Sequence, residues 1–412
     1  MASAARRVLF VSGSIGLGHV SRDLAIAREL RRVRPDVDIA WLAAAPADQF
    51  LREAGEPLLP ECAEMVDESA IAEATARGSR LSLIRYGFSV APKWLHTVDV
   101  LARVTSRVPF DLVLGDEAYG VVLAFKKIPA LKRFPFVMIY DFVGFHPMTA
   151  NPLEWLGVWF WNLAWSAGAS VSSPFVDLSL FVGEETDVPD RRFGLFLPNR
   201  REWARTRYRF VGNVLPFDPA AYADRSAVRR RLGYGDEPLV VCAIGGTSIG
   251  RELLELCGRA FPLLRKRVSD LRMVLVCGPR LDPSSLDVPP GVEMRGFVPE
   301  LHAHFAAADL AVVQGGGTTT LELSALRRPF LYLPVEGHSE QQISVAQRQQ
   351  RLGAGVRLPS WRMAPTALAD MMMTHLATEV RHPSVPADGA RRAAELVASL
   401  IPLAGGEAAS RP

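Results

Sequence analysis

The sequence predicts an α/β fold of two Rossmann-like domains, each built on a parallel sheet, that face each other across a cleft. Short, apolar, β-branched runs alternate with stretches of helical periodicity along most of the chain. The alternation restarts after a segment rich in Pro, Asp and Arg at 213–238. With 412 residues, the chain also exceeds what one hydrophobic core usually fills.

The predicted strands are apolar without polar alternation, which is typical of strands buried on both faces. They lie at 8–12, 39–43, 112–114 and 136–139, and again at 239–244, 273–277, 310–313 and 330–333. We therefore predict an N-terminal domain over 1–212, a linker over 213–238, a C-terminal domain over 239–380, and a C-terminal helix and tail over 381–412. Such folds bind ligands at the carboxyl ends of their strands, so the cleft is the expected site.

Composition and charge argue against several classes of protein. The 47 basic and 44 acidic residues give a net charge of +3, too balanced for a dedicated nucleic-acid binder. No charge-free apolar run is long enough to span a membrane, and the N-terminus lacks the apolar core of a signal peptide. The cysteines are scattered without CxxC spacing, which favours a reducing compartment over a zinc site or disulfide scaffold. We expect a cytoplasmic protein with no nucleic-acid partner.

Three glycine-rich turns each follow a predicted strand and precede a predicted helix. They lie at 13–19 (GSIGLGH), 245–248 (GGTS) and 315–320 (GGGTTT). Glycine lets the backbone approach a ligand closely, and a helix N-terminus directs free N–H groups at it, so a diphosphate is the expected guest. A tight turn without a ligand explains one such loop equally well, but three in equivalent places favour binding. None matches the dinucleotide or P-loop motif.

The third loop begins the run GGGTTTLELSALRRPFLYLP, followed by EGHSEQQ, which resembles the donor signature of the UDP-glycosyltransferase superfamily. It is similar to that of secondary-product glycosyltransferases and of the lipid-linked N-acetylglucosaminyltransferase of peptidoglycan synthesis. The other motifs follow in the same serial order over most of the chain. The resemblance implies the GT-B fold and transfer of a hexosyl group from a nucleotide diphosphate sugar, such as a UDP-sugar, to an acceptor hydroxyl. It implies no further cofactor.

The resemblance also implies which residues bind the donor. Glu322 would hold the ribose hydroxyls, since a carboxylate accepts two hydrogen bonds, and Phe297 and Val298 would contact the base. The phosphate and sugar contacts would come from Gly245, Gly246, Thr247, Ser248, Gly316, Gly317, Thr318, Thr319, Glu340 and Gln341. Gln314 and Ser344 depart from the His and Asn of the plant enzymes, which leaves the donor's identity open.

His19 directly follows the first glycine loop and is the predicted general base. An imidazole can accept a hydroxyl proton near neutral pH, and the superfamily's base is the His after its first strand. Asp116, at the end of a predicted strand, is expected to orient it, with Glu117 as the fallback. The acceptor side would include Gly16, Gly18, Asp141 and Arg22, the last as a phosphate ligand or a solvated cation. The only DxD motif, at 36–38, precedes a strand, so we predict no metal site.

An aromatic segment and a basic segment bear on the acceptor. Four tryptophans, Trp155, Trp159, Trp161 and Trp165, precede the stretch 191–209, which holds seven arginines and one acid. Aromatic rings beside basic residues are typical of contact with anionic lipid. A buried helix followed by a solvated basic stretch is the alternative. The acceptor is therefore either a small molecule or lipid-linked, and in the second case the protein would act at the inner face of the membrane.

Other functions stay open within the same fold. The run IGLGH, followed by Arg22, also resembles UDP-sugar hydrolases of nonulosonic acid synthesis, in which water replaces the acceptor. The length of this chain and its aromatic segment favour a transferase. A non-hydrolysing epimerase is a further alternative. A non-catalytic nucleotide-sugar-binding protein would lack a base, whereas His19 is present.

Overall fold

The computed structural model describes residues 5–13, 15–168, 174–376 and 378–403. The chain divides into two compact units. The first unit comprises the residues up to 68, residues 87–216 and those from 388 onward. The second unit comprises residues 69–86 and 217–387. Each unit is therefore assembled from segments that are not contiguous in the sequence.

The described residues of the first unit form a sheet of six parallel strands. In chain order these are β1 (Arg6–Ser12), β2 (Val37–Ala43), β3 (Leu112–Asp116), β4 (Phe136–Tyr140), β5 (Leu178–Val182) and β6 (Arg209–Gly212). Their order across the sheet is β2-β1-β3-β4-β5-β6. Val8 of β1 lies between Ile39 of β2 and Leu112 of β3, and all three are buried.

The described residues of the second unit repeat this arrangement. Its strands are β7 (Leu239–Ala243), β8 (Arg272–Val276), β9 (Glu293–Arg295), β10 (Leu310–Gln314), β11 (Phe330–Leu333) and β12 (Val356–Arg357). All pair in parallel, in the order β12-β11-β10-β7-β8-β9. The predicted α/β class with two Rossmann-like parallel-sheet domains is confirmed.

Helices connect the strands in both units. In chain order they are α1 (Gly18–Val33), α2 (Ala47–Glu53), α3 (Glu68–Thr75), α4 (Leu83–Val90), α5 (Trp94–Arg107), α6 (Tyr119–Lys127), α7 (Pro152–Ser166), α8 (Arg200–Arg205), α9 (Arg225–Leu232), α10 (Arg251–Arg265), α11 (Leu301–Ala307), α12 (Gly317–Ala325), α13 (Ala346–Leu352), α14 (Pro365–His375) and α15 (Gly389–Ala398). Within the described ranges, none combines the length and apolar character needed to cross a bilayer.

Both faces of the first sheet are covered, which explains why its strands are apolar throughout. Successive side chains of a strand point to opposite faces. Val8 and Phe10 of β1 pack with α1 and α15 on one face, whereas Leu9 and Val11 pack with α5 and α6 on the other. The sheet is therefore the middle layer of a three-layer unit.

The compact units differ from the predicted domain division in two places. Residues 69–86 group with the second unit, although the prediction placed them in the N-terminal domain. Residues 388 onward group with the first unit, because the apolar side of α15 packs on α1 in the core of that unit. The last part of the predicted tail, residues 404–412, lies outside the described residues.

Much of the predicted linker is folded. The first unit extends to residue 216 and the second begins at 217. Within 217–238, helix α9 contributes Val228 to the core of the second unit. Its Arg225 and Arg229 both form ion pairs with Asp309, beside α11. This Arg-rich part of the predicted linker is therefore a surface helix, and its guanidinium groups anchor it to Asp309 of the second unit.

The start of α15 allows a direct test of this packing. A Cβ atom at Gly389 would lie 2.4 Å from the backbone oxygen of Asn213, so Gly389→Ala should force backbone movement. We expect it to lower the free energy of unfolding by about 1–3 kcal/mol, measured by denaturant titration. Gly157→Ala is the matched control, because a Cβ there meets open space within α7. It should stabilise by up to about 1 kcal/mol. Equal effects of the two variants would contradict the packing of α15.

Candidate functional site

A buried arginine joins two strand ends of the first unit. Arg22 of α1 donates from Nε and Nη2 to the two carboxylate oxygens of Asp116, at 2.7 and 2.6 Å. Its Nη1 donates to Asp141 at 2.5 Å. Asp116 ends β3 and Asp141 follows β4, so the two carboxylates emerge at the same edge of the sheet. All three donor nitrogens of Arg22 are engaged and the residue is 4% exposed, so its contacts do not support the predicted phosphate-binding or solvated role.

His19 lies against this ion-pair network. Its Nδ1 atom is 3.2 Å from Oδ2 of Asp116 and 2.7 Å from Nη2 of Arg22. A guanidinium only donates hydrogen bonds, so the two contacts require opposite protonation of Nδ1. When Nδ1 carries the proton it donates to Asp116, and Nε2 is left with the lone pair that a general base needs. When Arg22 donates to Nδ1, the proton is on Nε2 and the base is inactive.

The carboxylates around Arg22 differ in their protonation. Burial would raise the pKa of Asp116, but the charges of Arg22 and His19 outweigh it and hold that pKa well below its usual range. Burial and the neighbouring carboxylates of Asp141 and Asp116 raise the pKa of Glu117 well above its usual value. Glu117 therefore favours its neutral form and is a poor orienting group for a histidine base. Asp116 is the carboxylate that fits this role.

The glycine loop before His19 is shaped by close packing. Gly13 has a φ of +123°, and a Cβ there would lie 2.9 Å from the backbone nitrogen of Ala44. Gly16 also has a positive φ, of +83°, and Gly18 begins α1. Ser14 of this loop lies outside the described residues. Gly13 and Gly16 thus require glycine for backbone reasons. A ligand contact of Gly16 or Gly18 stays a prediction.

A cavity of about 40 Å³ lies beside Asp116 and Glu117 in the first unit. It combines these carboxyl groups with apolar and aromatic walls. Its further lining includes Gly13, Met65, Trp94, Thr97 and Tyr119. The sequence analysis missed Met65 and Trp94, because tertiary folding alone brings these distant residues to the end of β3.

Asp23 is a second residue that the sequence analysis missed. Ser12 at the end of β1 donates to its carboxylate at 2.5 Å. Burial and the nearby charge of Asp116 raise the pKa of Asp23 well above its usual value. Asp23 stands four residues after His19, on the same side of a helix, and this spacing is the signal that could have identified it. It adds a further buried acid to the carboxylate cluster around Arg22.

In the second unit, the predicted donor residues gather at one edge of the sheet. The loops at 245–248 and 315–319 follow the adjacent strands β7 and β10, and Phe297 and Val298 follow β9. Glu340 and Gln341 lie beyond β11, next to β10. Carboxyl ends of neighbouring parallel strands are where such folds bind anionic ligands. These residues are far apart in the sequence but lie on one surface of the second unit.

Glu322 is the buried acid of this surface. It lies on α12 and is 8% exposed, and its carboxylate makes no hydrogen bond or ion pair with other described residues. Burial raises its pKa to about 8. A solvated surface carboxylate, the alternative in the sequence analysis, would be neither buried nor shifted. The carboxylate has hydrogen-bonding capacity that the described protein leaves unused.

The residues around the start of α12 are closely packed. Gly316 caps the helix, and half-buried Thr318 and Thr319 lie in its first turn. A Cβ at Gly317 would lie 2.8 Å from a carboxylate oxygen of Glu340, so glycine at this position leaves space for the Glu340 side chain. The side-chain oxygen of Gln341 accepts a hydrogen bond from the backbone of Val335 at 2.9 Å. Gln341 therefore already has a structural contact, whereas a sugar contact stays a prediction.

The loop at 245–248 already contacts an acid. Gly245 has a φ of +88°, and Gly246 and Thr247 are buried. The backbone N–H of Ser248 donates to the carboxylate of Glu73 at 2.7 Å. Glu73 comes from α3, in the segment that the domain prediction assigned to the other half of the chain. The predicted diphosphate loop therefore holds an anionic group of the protein itself.

Comparison with known proteins agrees with this architecture. The crystal structure of the glycosyltransferase of kitacinnamycin superposes with a TM-score of 0.60 at 19% identity, covering 97% of this chain and 100% of that one. This likeness defines the fold as that of the GT-B glycosyltransferases. Residues 240–387 match the model of the glycosyltransferase family 28 C-terminal domain.

Relatives extend the similarity to the whole chain. A UDP-N-acetylglucosamine–N-acetylmuramyl-(pentapeptide) pyrophosphoryl-undecaprenol N-acetylglucosamine transferase of Mycolicibacterium vanbaalenii is 30% identical, over 94% of this chain and 88% of that protein. The chain belongs to glycosyltransferase family 28, within the GT-B superfamily. A glycosyltransferase of Methanopyrus kandleri is 28% identical over 47% of this chain, and the match spans about half of that relative, 54% of its length.

Removal of the Arg22 charge tests the ion-pair network. Arg22→Met would leave the buried carboxylates of Asp116 and Asp141 without their counterion, so we expect a loss of about 3–5 kcal/mol in the free energy of unfolding. The matched control is Arg32→Met on the same helix, whose ion pair with Glu29 is solvent-exposed. It should cost less than about 0.5 kcal/mol. Denaturant titration of both variants measures the difference, and a similar small loss in each would contradict the role of Arg22.

Proposed function

We propose that this chain transfers a hexosyl group from a UDP-sugar to an acceptor hydroxyl, with His19 as the general base. The observation that carries the proposal is the contact of His19 with Asp116 at the end of the first glycine loop. Membership of family 28 supports glycosyl transfer. The activity by which the relative from Mycolicibacterium vanbaalenii is named supports a UDP-linked donor and a lipid-linked acceptor.

The chemistry follows from the protonation of His19. Asp116 accepts the hydrogen bond from Nδ1–H, and Nε2 takes the proton of the acceptor hydroxyl. The acceptor oxygen then bonds to the anomeric carbon as the bond from that carbon to the diphosphate breaks. The departing UDP gathers negative charge, which the backbone N–H groups of the loops at 245–248 and 316–319 would stabilise. The proposed reaction needs no metal ion.

The donor's ribose is proposed to bind Glu322. Its carboxylate is buried on α12, the helix that begins at the end of the glycine loop at 315–317, and has no partner among the described residues. Two ribose hydroxyls would supply the hydrogen bonds that it lacks. These bonds stabilise the charged form of the acid, so nucleotide binding and the ionisation of Glu322 should be linked.

Replacement of His19 tests the proposed base. His19→Ala should lower turnover about a hundredfold or more and leave UDP affinity nearly unchanged, because only proton removal is lost. Turnover is measured as release of UDP from UDP-N-acetylglucosamine, with and without a lipid-linked acceptor. His96→Ala is the control, since His96 is an exposed histidine on α5.

The same assay separates the alternative functions. Near-normal turnover of the His19→Ala variant would refute the proposed base. UDP release by the unaltered protein that does not depend on any acceptor would identify a hydrolase. Binding of the UDP-sugar without any turnover would identify a non-catalytic nucleotide-sugar-binding protein.

The raised pKa of Glu322 gives a pH test of donor binding. With a pKa of about 8 in the free protein, the acid must lose a proton to accept the ribose hydrogen bonds. UDP binding should therefore release protons, and affinity should rise with pH until about pH 8. Glu322→Ala should weaken UDP binding by about 1–3 kcal/mol. Calorimetry in buffers of different ionisation enthalpy measures both effects.

Glu322→Gln is the matched control, because it keeps the side-chain size but cannot ionise. Its UDP affinity should retain only the pH dependence that comes from the nucleotide itself. The same pH dependence in this variant and in the unaltered protein would contradict the ribose contact.

The exposed side of α7 favours a membrane contact over a buried helix. Leu153, Trp155 and Phe160 of α7 are 73, 57 and 55% exposed, whereas Trp165 is buried. Leu195 and Phe196 are also exposed, and Trp159 donates from Nε1 to the backbone oxygen of Leu195 at 3.0 Å. We name Leu153, Trp155, Leu156, Phe160, Leu195 and Phe196 the apolar face. The exposed Arg191 and Arg192 are its neighbours in sequence. We propose that this face meets an anionic bilayer.

Vesicle binding tests the apolar face. The double variant Phe160→Ser/Phe196→Ser should lose most sedimentation with vesicles that contain anionic lipid, because it removes the inserting side chains. Leu403→Ser is the control, since Leu403 is an exposed apolar residue of the first unit outside this face. High salt should also weaken binding of the unaltered protein, because it screens the arginines. Equal, negligible binding to anionic and neutral vesicles would leave a protein with a soluble acceptor.

A further inference from the structure

Residues 69–86 cross the donor-binding surface of the second unit, and we call them the strap. Their backbone pairs with Glu336, which follows β11: Leu81 N–H donates to the oxygen of Glu336 at 2.8 Å, and Glu336 N–H donates to Ser79 at 3.0 Å. A Cβ at Gly337 would lie 2.1 Å from the oxygen of Leu81, so glycine is required where the strap passes. The strap is thus bound through its backbone beside Glu340.

The strap also places a carboxylate on the loop at 245–248. Glu73 accepts from the backbone N–H of Ser248 at 2.7 Å and from Nε and Nη2 of Arg280 at 3.0 and 2.9 Å. The side chains of Glu73 and Arg280 are each 19% exposed. Ser248 and Arg280 follow the adjacent strands β7 and β8. A backbone N–H and a guanidinium fork that converge on one anion make a site for a carboxylate or a phosphoryl group.

The donors of this site cannot serve two anions at once. The Ser248 N–H has a single proton, and a phosphoryl oxygen that accepts it must take the place of the Glu73 oxygen. Arg280 likewise pairs through the same edge with either a carboxylate or a phosphoryl group. If the loop at 245–248 binds the diphosphate of the donor, Glu73 has to leave first.

The geometry points to an anion site, formed by Ser248 and Arg280, that binds a phosphoryl group of the nucleotide diphosphate and that Glu73 occupies when no donor is bound. The inference rests on the proposed function and adds two residues to it. Arg280 is a donor-binding cation, and Glu73 is an internal competitor. The donor can bind only to molecules in which Glu73 has left the site. The apparent donor affinity is therefore reduced in proportion to the fraction of molecules in which the site is free. The pairing at Leu81 and Glu336 can persist when Glu73 moves, because it involves only the backbone.

Calorimetry with three probes tests the site in the full chain: UDP, inorganic pyrophosphate, and uridine, which has no phosphoryl group. Glu73→Gln should bind UDP and pyrophosphate about tenfold more tightly, because the competing charge is removed. Arg280→Met should bind both about tenfold more weakly. Uridine affinity should not change in either variant. Glu293→Gln is the matched control, since Glu293 pairs with Arg272 in the same unit, and its UDP affinity should stay within about twofold.

A measurement on the unaltered protein does not depend on how the variants fold. Saturating UDP should increase hydrogen exchange of the backbone at 69–76, because release of Glu73 loosens α3. Unchanged or slower exchange there, or equal UDP affinity of the unaltered protein and Glu73→Gln, would overturn the inference while leaving the proposed donor intact. Failure of UDP, uridine and pyrophosphate to bind any of these proteins would overturn the proposed function together with the inference.

Discussion

The ion-pair network around Arg22 is the interaction on which the candidate active site depends. One guanidinium holds the carboxylates at the ends of two neighbouring strands and contacts His19 one helical turn earlier on α1. A buried cation of this kind is tolerated only because two carboxylates compensate it. The same network fixes where α1 begins relative to the sheet, and so where the imidazole lies. Stability and chemistry in the first unit therefore depend on the same charges.

Arg22 also competes with Asp116 for the Nδ1 atom of His19. A histidine base needs its orienting partner to accept from Nδ1–H, and a guanidinium cannot do so. The carboxylate and the arginine thus favour opposite tautomers of one ring. Glu117 has a φ of +48°, and burial together with the neighbouring carboxylates raises its pKa, so it stands outside this competition.

The candidate site of the second unit differs from that of the first in its charges. Its candidate site presents backbone N–H groups, a guanidinium and a buried acid with a raised pKa, and each of these is suited to a ligand with phosphoryl and hydroxyl groups. The carboxylate of Glu73 already accepts hydrogen bonds on this surface from the Ser248 N–H and from the Arg280 guanidinium beside the loop at 245–248. The strap therefore places a carboxylate of the chain itself where the proposed donor diphosphate would bind.

The sequence by itself determined the class of fold and most of the strand-end residues. Apolar strands, glycine turns and residues such as His19, Asp116 and Glu322 are local patterns, and parallel sheets bring the ends of adjacent strands together. It did not reveal β5, β6, β9 or β12. Strands β9 and β12 are short and polar, and β6 begins within the arginine-rich stretch, whereas β5 was missed although it is mostly apolar. Nor did it reveal the strap or the docking of α15, since the composition of a segment does not say which of two apolar cores will bury it. Only the tertiary structure decided that Arg22 is an internal counterion, that Glu73 lies on the loop at 245–248, and that α7 exposes its apolar face, because each depends on contacts between residues far apart in the chain.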